Sequence, residues 1–576
     1  MTMKVYKSYL KSLTFFFCFF LISNNLFGQI TNQKVPTVDD QRKIQQNPTL
    51  KKSPQEIFKE PVEDDQIKKE EMKIILKKIN FDGNTIFTSE KLQEVVKNFI
   101  NIEIDLKDVQ NISKELSFFY KSQGYWANAV IPEQDIKNQE LLVKIYEGKV
   151  GKFIIKKDEK DIPISEDKLL KYLQNNLEKD QVLRIDQLDS NLKIINSIPG
   201  VLAIAELQAG DNLGETDIVV QVVNKSLFDF FNTTDNFGSR SSGYNRNTAL
   251  IYLNNTFSIG EQFGLQSVNT QGSEYFAINN SYPLGYDGTR INLKAAKMEY
   301  KLRAPYSSTA PSGFSTEFST SITTPFIQST KTNLSSSLAV SKNKYVNDLN
   351  TGNSSKKYLD KLSLSLNFDR RDNFFEGGIN YGFIEFSVGE LNLRGNIINH
   401  DTDQLSTRNA GNSRVANLNM NRLQKIDDNY FLSVKFKGQY SADNLDGAEQ
   451  FSLGGSNGVR AYPNNEGAGA MGYLTTVEIK RLLGNNIEAG LFYDYGRTML
   501  YKFLWTDWNA ANTAISNNYS LEGYGVSLDW NIMENVKLNF LHARKLGSNQ
   551  GKDTSGNDSD GLSKDRRTLL SLNLNF

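Results

Sequence analysis

The sequence predicts a membrane β-barrel of about 16 antiparallel strands, preceded by two small α+β modules. First, residues 568–576 alternate apolar and polar side chains and end on Phe576, as the closing strand of a membrane barrel does. Second, similar alternating segments recur from about residue 225 onward. Third, two stretches with helical spacing lie before that region. Residues 568–576 alone also fit the edge strand of a soluble sandwich, so the rest of the chain decides.

Residues 1–28 have the pattern of a secretory signal peptide. Three lysines precede an apolar run over residues 13–22, and Gly28 offers a small-residue cleavage site. The run is too short to cross a bilayer as a helix, which needs about 20 residues. Cys18, the single cysteine of the chain, lies inside this run. We therefore expect a mature chain without disulfides, thiolate metal ligands or a catalytic thiol.

The composition gives no reason to expect nucleic-acid binding, and it does not by itself reveal a membrane protein. Lys plus Arg and Asp plus Glu number 66 each, so bulk charge gives no reason to expect nucleic-acid binding. The mean hydropathy is −0.46, which a soluble protein could have, but half of the residues in a barrel strand face water. Aromatic residues make up 11% of the chain, which fits rings placed at both membrane interfaces.

Three segments precede the barrel region. Residues 29–72 are polar and charged and contain four prolines, which predicts a linker within which a short plug helix would fit. Residues 73–149 follow the order β-α-α-β-β, with Asp105 beginning the second helix and Gly124 ending it. Residues 150–224 repeat this order at nearly the same length. A tandem repeat of small modules predicts a jointed arm rather than a catalytic domain.

Residues 225–576 carry the barrel pattern. Helical spacing disappears, and turns rich in Gly, Asn, Ser and Asp separate the alternating segments. The clearest apolar faces are those of Leu362, Leu364, Leu366 and Phe368, of Leu432, Val434 and Phe436, and of Tyr524, Val526, Leu528 and Trp530. At roughly 22 residues per strand with its connection, the region holds about 16 strands.

Short motifs in both modules resemble those of a known family. The first module carries Gln-Gly-Tyr at residues 123–125 and Val-Ile-Pro-Glu-Gln-Asp-Ile at residues 130–136. The second carries Pro-Gly-Val at residues 199–201. With these motifs the chain resembles the outer-membrane transporters of two-partner secretion, the TpsB proteins of the ShlB/FhaC/HecB type. The resemblance implies that residues 73–149 and 150–224 are POTRA domains in the periplasm.

A second motif lies in the barrel region. Val459, Arg460, Ala461 and Tyr462 stand where the family has Val-Arg-Gly-Tyr/Phe, and glycines precede them within residues 454–458. In the family this motif lies at the tip of a long loop folded into the barrel lumen. The resemblance therefore implies a lumen loop with the same tip in this chain.

The resemblance also implies a partner for Arg460. The family's Phe-x-Asp-x-Gly pattern corresponds to residues 492–496, so the expected latch pairs Arg460 with Asp494, next to Gly496. A guanidinium against a carboxylate in a narrow lumen gains two charge-assisted bonds and fixes the loop. Ala461 replaces the family's glycine, and if that position needs a positive φ, alanine costs about 1 kcal/mol or more. The local geometry of the tip stays open.

The resemblance further implies that the POTRA domains recognise the transported protein. The expected recognition residues are Tyr125, Pro132, Gln134 and Asp135. An unfolded exoprotein of the adhesin or cytolysin type would add a strand or an amphipathic segment to the edges of these domains. Outer-membrane lipid is the other expected partner, whereas nucleic acid and a small-molecule substrate are not expected.

The sequence predicts no catalytic, cofactor or metal site. Neither His400 nor His542 has a partner at metal-ligand spacing, and no phosphate-binding glycine loop precedes a helix. Asp558 and Asp560 superficially suggest a calcium loop, but a well-placed distal Glu is missing. Residues 547–561 are therefore predicted to form a solvated surface loop.

The expected function is that of a translocase in the bacterial outer membrane that exports a partner exoprotein. The alternative is an outer-membrane protein assembly insertase of the same superfamily, although insertases usually carry more POTRA modules. A diffusion porin has no use for two periplasmic modules, and a barrel enzyme would need a Ser/His/acid arrangement that the sequence does not offer. The identity of the exported protein and the oligomeric state stay open.

Overall fold

The computed structural model describes residues 58–59, 73–136, 138–157, 164–305, 311–348, 354–484 and 486–576. The predicted signal peptide and nearly all of the predicted linker, including any plug helix, lie outside the described residues. Within the linker, Phe58–Lys59 form a short strand, β1.

The first module packs two helices on a three-stranded sheet. Its elements are β2 (Ile74–Ile75), β3 (Lys78–Asp82), α1 (Ser89–Val95), β4 (Glu103–Ile104), α2 (Leu106–Ser122), β5 (Ala127–Val130) and β6 (Glu140–Glu147). The sheet order is β3-β6-β5, with β3 parallel and β5 antiparallel to β6, and β2 pairs with β4. Asp105 caps α2 in a capping box with Asp108, and Gly124 follows the helix with a φ of +86°.

The second module repeats this plan. Its elements are β7 (Lys149–Lys157), α3 (Glu166–Leu173), α4 (Ile185–Asn196), β8 (Val201–Ala209) and β9 (Glu215–Asn224). The sheet order is β1-β8-β9-β7, and β1 pairs in parallel with Ala205 and Glu206 at the edge of β8. Leucines of both helices form the core because they recur at helical spacing on the face turned to the sheet. The linker thus contributes a strand to this module, which its composition did not predict.

Sixteen antiparallel strands form a closed barrel, which confirms the predicted fold class. The strands are β10 (Phe228–Asp235), β11 (Arg246–Asn254), β12 (Gln262–Asn269), β13 (Ser273–Pro283), β14 (Arg290–Lys301), β15 (Ser312–Gln328), β16 (Thr332–Asp348), β17 (Ser354–Asp372), β18 (Gly378–Asn392), β19 (Gly411–Lys425), β20 (Tyr430–Ser441), β21 (Met471–Leu483), β22 (Ile487–Met499), β23 (Asn518–Met533), β24 (Val536–Leu546) and β25 (Arg566–Asn575). A further helix, α5 (Ile397–Leu405), lies between β18 and β19.

The barrel closes between its first and last strands. Residues 231–235 of β10 pair with residues 571–575 of β25, which makes five residue pairs, the shortest ladder between neighbouring barrel strands in the described chain. Leu570 on β25 is 45% exposed on the outer face, whereas Ser571 is buried on the inner face. The alternation seen in residues 568–576 therefore separates an apolar outer face from a polar lumen.

The two ends of the barrel differ. Short turns lie at the end that faces the modules, and the turn at residues 329–331 contacts α4 of the second module. Long connections lie at the opposite end and span residues 393–410, 442–470, 500–517 and 547–565. No helix in the described parts of the chain is long and apolar enough to cross a membrane.

Candidate functional site

The connection between β20 and β21, residues 442–470, folds back into the barrel; we call it the lumen loop. It is held as a compact hairpin, since the Val459 amide donates to the Leu453 carbonyl at 2.7 Å and the Gly454 amide donates to the Glu466 carbonyl at 2.9 Å. A Cβ on Gly458 would lie 2.0 Å from the Leu453 carbonyl oxygen. The tight crossing of the two arms therefore requires glycine at that position.

The lumen loop packs against the barrel wall through an apolar cluster. The cluster consists of Leu453, Val459, Ala461 and Tyr462 of the loop and Leu474, Phe492, Tyr519, Leu521 and Ala543 of the wall. These side chains come from β21, β22, β23 and β24, so the loop lies against one side of the lumen. Burial of this apolar surface stabilises the inward position of the loop.

Arg460 lies in the lumen, against the inner face of the barrel wall, and contacts Asp494 on β22. Its Nε donates to Oδ2 at 2.9 Å and its Nη2 donates to Oδ1 at 2.9 Å. The Arg460 backbone amide also donates to Oδ2, at 3.1 Å, and the Thr476 hydroxyl donates to Oδ1 at 3.0 Å. Asp494 is fully buried and Arg460 is 9% exposed. The geometry is the two-bond, charge-assisted pairing that arginine forms with carboxylates.

A second carboxylate, which the sequence reasoning missed, also binds Arg460. Its Nη1 donates to Oε2 of Glu478 on β21 at 3.1 Å. Glu478 is held in turn by the Ser527 hydroxyl, which donates to Oε1 at 2.6 Å. Alternation along β21 places Glu478 on the lumen face, but only the pairing of Glu478 with Phe492 across β21 and β22 brings it to the guanidinium.

Phe492 and Gly496 shape the space around this contact. The Arg460 guanidinium carbon lies 3.4 Å from the centre of the Phe492 ring, a close cation–π stack. A Cβ on Gly496 would lie 2.7 Å from Cδ2 of Leu453. Phe492 thus stacks on Arg460 of the lumen loop, and Gly496 leaves the space that Leu453 of the loop occupies.

Ala461 resolves the question that its replacement of glycine raised. Its backbone does not enter the positive-φ region, so the alanine carries none of the backbone cost that a left-handed conformation would impose. Its side chain is fully buried in the apolar cluster. A Cβ on Gly523 would lie 3.0 Å from the Ala461 methyl carbon, so the wall accommodates the methyl group next to a glycine.

The prediction of a solvated loop at residues 547–561 is confirmed for most of the stretch, including exposed residues 553–555, but it is wrong for Asp558 and Asp560. Asp558 and Asp560 are 2% and 7% exposed. The Lys545 ammonium donates to both Asp558 oxygens at 2.8 and 2.6 Å, and Arg567 donates to Asp560 at 2.6 Å. Each carboxylate is buried because a cation is positioned against it, which polar composition alone does not reveal.

Tyr125 lies in the joint between the two modules rather than on an open face. Its ring stacks with the Arg184 guanidinium, whose central carbon is 5.3 Å from the ring centre. Backbone bonds flank this contact, from Trp126 to Leu183 at 3.0 Å and from Ile185 to Gly124 at 2.9 Å. The joint therefore positions the second module relative to the first.

The other three predicted recognition residues lie in the connection between β5 and β6. The Gln134 amide group donates to the Leu142 carbonyl at 2.8 Å and accepts from the Leu142 amide at 2.9 Å, as a neighbouring strand would. Its amide nitrogen also contacts the carbonyl of half-buried Pro132 at 3.2 Å. Asp135 is exposed. Gln134 thus fastens its own module, and Asp135 faces solvent.

Helix α4 docks the second module onto the barrel. Asp189 accepts from the Thr330 amide at 2.9 Å, and Lys193 donates to the Asn333 side chain at 3.1 Å and to the Ser329 carbonyl. Burial raises the pKa of the Asp189 carboxyl and lowers the pKa of the Lys193 ammonium.

No group of three or more His, Cys, Asp or Glu side chains suited to a metal ion occurs among the described residues.

A closed barrel that contains an inward-folded loop and is preceded by two small modules defines the class of outer-membrane transport pores. The sequence model of the haemolysin secretion/activation protein family ShlB/FhaC/HecB matches residues 214–511, and that of the ShlB-type POTRA domain matches residues 74–148. The chain belongs to the ShlB/FhaC/HecB family. It is a bacterial outer-membrane transporter of two-partner secretion, which exports a partner exoprotein, and its POTRA domains lie in the periplasm.

Individual relatives agree with this assignment. The heme/hemopexin transporter protein HuxB of Haemophilus influenzae strain 86-028NP is 23% identical over 493 residues, covering 84% of this chain and 85% of the relative. The outer membrane transporter CdiB of Dickeya dadantii strain 3937 is 22% identical over 410 residues, covering 69% and 70%.

Solved structures share the fold. CdiB from Escherichia coli superimposes with a TM-score of 0.64 at 16% identity, covering 89% of this chain and 93% of that one. BamA from Haemophilus ducreyi lacking POTRA domains 1–3 gives a TM-score of 0.53 at 12% identity, covering 88% and 100%. At these identities the likeness concerns the fold alone.

Proposed function

We propose that the lumen loop is the gate of the export path and that Arg460 is its latch. The observation that carries this proposal is the burial of Arg460 between Asp494 and Glu478 inside the lumen. The loop occupies space through which an exported chain would pass, so it has to move aside. A charge-assisted contact that is either fully made or fully broken suits an element with two positions.

The exported chain reaches the gate from the periplasm. We infer that it binds the POTRA domains by adding a strand to their sheets. The pairing of β1 with the β8 edge supports this inference, because an extended segment of the linker, outside the module's own repeat, pairs with that edge. In the first module, β5 is an edge strand with Val130 exposed, which offers a second position of the same kind.

The direction of export needs a source of free energy. The periplasm contains no nucleotide triphosphate to supply it. We infer that folding of the exported chain at the cell surface biases its movement outward, since a folded exoprotein cannot return through the barrel. Transport would then depend on passing an unfolded chain.

The cargo that we propose is a large secreted protein of the adhesin or cytolysin type. The relative HuxB is named as a heme/hemopexin transporter protein. The apolar outer face of the barrel, with exposed residues such as Leu491 and Phe318, makes outer-membrane lipid the second partner. The alternative of an assembly insertase rests on the BamA likeness, which concerns the fold alone.

The decisive experiment first searches the neighbouring open reading frames for a large secreted protein and then co-expresses that protein with this chain. We expect that protein in the culture medium only when the transporter is present, while the levels of other outer-membrane proteins stay unchanged. Release of the partner without the transporter would contradict export. Loss of other outer-membrane proteins on deleting the transporter would instead indicate an insertase.

A further inference from the structure

Glu466 connects the lumen loop to the extracellular connection at residues 547–565. Its Oε1 accepts from the Asn549 side-chain amide at 2.9 Å, and its Oε2 accepts from the Ser559 backbone amide at 2.7 Å. Glu466 is 1% exposed. A buried carboxylate is costly unless its oxygens are bonded, so the position of Glu466 depends on this extracellular connection.

The contact extends into a buried charge network. The Asn549 amide nitrogen that bonds Glu466 also donates to Asp558 at 2.9 Å. Asp558 in turn holds Lys545, whose ammonium lies 4.8 Å from the centre of the Tyr462 ring in the lumen loop. The extracellular connection therefore bonds the lumen loop directly at Glu466, and its Asp558 also holds Lys545 of β24 against Tyr462.

The same segment of the lumen loop is bonded on the other side of the barrel closure. The Asn464 side-chain amide donates at 2.7 Å to the carbonyl of Phe237, which lies just after β10. Arg240, from the same connection, donates to the Asp560 carbonyl at 2.9 Å. Residues 464–466 thus join the connections that flank β10 and β25, where the closing ladder has five residue pairs.

We propose that Asn464 and Glu466 form a second anchor of the lumen loop, the rim clasp, which is separate from the Arg460 latch. The clasp holds the loop to the extracellular mouth and ties the first and last strands together above their short ladder. The loop leaves the lumen only when both the latch and the clasp release. This inference rests on the proposed gate function, and it assigns a role to residues outside the latch.

The test uses the purified full chain in planar lipid bilayers, with no partner protein present. Two substitutions, Glu466→Ala and Asn464→Ala, weaken the clasp from different sides. We expect Glu466→Ala to increase the ratio of open to closed time about tenfold, because charged hydrogen bonds are lost. Asn464→Ala should give a smaller increase. In the double variant Arg460→Ala/Glu466→Ala the two effects should multiply, since both contacts have to release.

The matched control is Asp553→Ala, which removes an exposed carboxylate of the same connection whose bonds stay within its own turn. Its conductance should equal that of the native chain. A heat-induced shift on electrophoresis verifies that each barrel is folded. If Glu466→Ala does not fold, Asn464→Ala still tests the clasp, because it leaves the buried Glu466 carboxylate with its hydrogen bonds. Native conductance in the folded clasp variants, or a double variant equal to Arg460→Ala, overturns the clasp. The bilayer recordings contain no partner protein, so they test the clasp alone. The secretion assay tests export separately.

Discussion

Arg460 donates to Glu478 on β21 while the same guanidinium holds Asp494 on the adjacent strand β22. One side chain of the lumen loop thus bridges two neighbouring strands of the wall. Since removal of one partner leaves buried charge uncompensated, at a cost of about 3–5 kcal/mol, each of the three groups depends on the other two. The proposed latch therefore uses two carboxylates rather than one, and Lys480 lies a further 4.0 Å from Glu478.

The substitution Arg460→Ala should release the lumen loop. Asp494 would then lose its ion-pair partner, Glu478 would keep only Lys480 at 4.0 Å, and the stack on Phe492 would be lost. We expect export of the partner to fall and the conductance in planar bilayers to change. Lys342→Ala, which removes an exposed ion pair with Asp360 on a neighbouring strand away from the lumen loop, is the control and should change neither. Native export and native conductance in Arg460→Ala would contradict the latch.

The two carboxylates should contribute unequally to the latch. Asp494 accepts three bonds from Arg460, whereas Glu478 accepts one. We expect Asp494→Asn to raise the ratio of open to closed time by about tenfold or more, and Glu478→Gln to raise it less. The reason is that Asp494→Asn weakens more charge-assisted bonds. Single-channel recordings of both variants measure the order. An equal effect, or a larger one for Glu478→Gln, would show that the geometry does not determine the strength.

The sequence predicted the barrel because alternation is a local property of each strand. The inner and outer faces of β25 follow directly from the alternation in residues 568–576. Glu478 could not be found in this way. Its face follows from alternation, but its distance from Arg460 depends on the register between β21 and β22 and on where the lumen loop lies.

Burial of Asp558 and Asp560, within a connection that is otherwise largely exposed, could not be predicted from the local sequence either. Asp558 and Asp560 are buried because Lys545 and Arg567, which flank the connection on β24 and β25, turn toward them. Composition records the charges but not their pairing. Similarly, the placement of Tyr125 in the joint depends on Arg184 from the other module.

A disulfide between the lumen loop and the wall should lock the gate. Cysteines at Ala461 and Gly523 would place their Cβ atoms 3.0 Å apart, which has to widen by about half an ångström to reach disulfide geometry. The predicted mature chain has no other cysteine, since Cys18 lies in the predicted signal peptide. We expect export to stop under oxidising conditions and to return after reduction. Either single-cysteine variant is the control, and export through the oxidised double variant would exclude loop movement.

Deletion of residues 73–148 should abolish export without removing the barrel. This segment contains the first module, whose core is formed by its own helices and sheet, so the barrel strands lose none of their ladder bonds. We expect the shortened protein to reach the outer membrane and to show a heat-induced electrophoretic shift. The partner should remain in the periplasm. Secretion of the partner by this variant would show that the first module does not recognise it.

Gln134 and Asp135 should separate fastening from recognition. Gln134→Ala removes two hydrogen bonds to the Leu142 backbone, so we expect the module to lose about 1–3 kcal/mol of unfolding free energy. Asp135→Ala removes an exposed side chain and should leave stability unchanged within about 0.5 kcal/mol. If Asp135 contacts the exported chain, export falls in that variant at native stability. Urea unfolding and secretion, measured on the same variants, decide: native export in Asp135→Ala would remove it from the recognition surface.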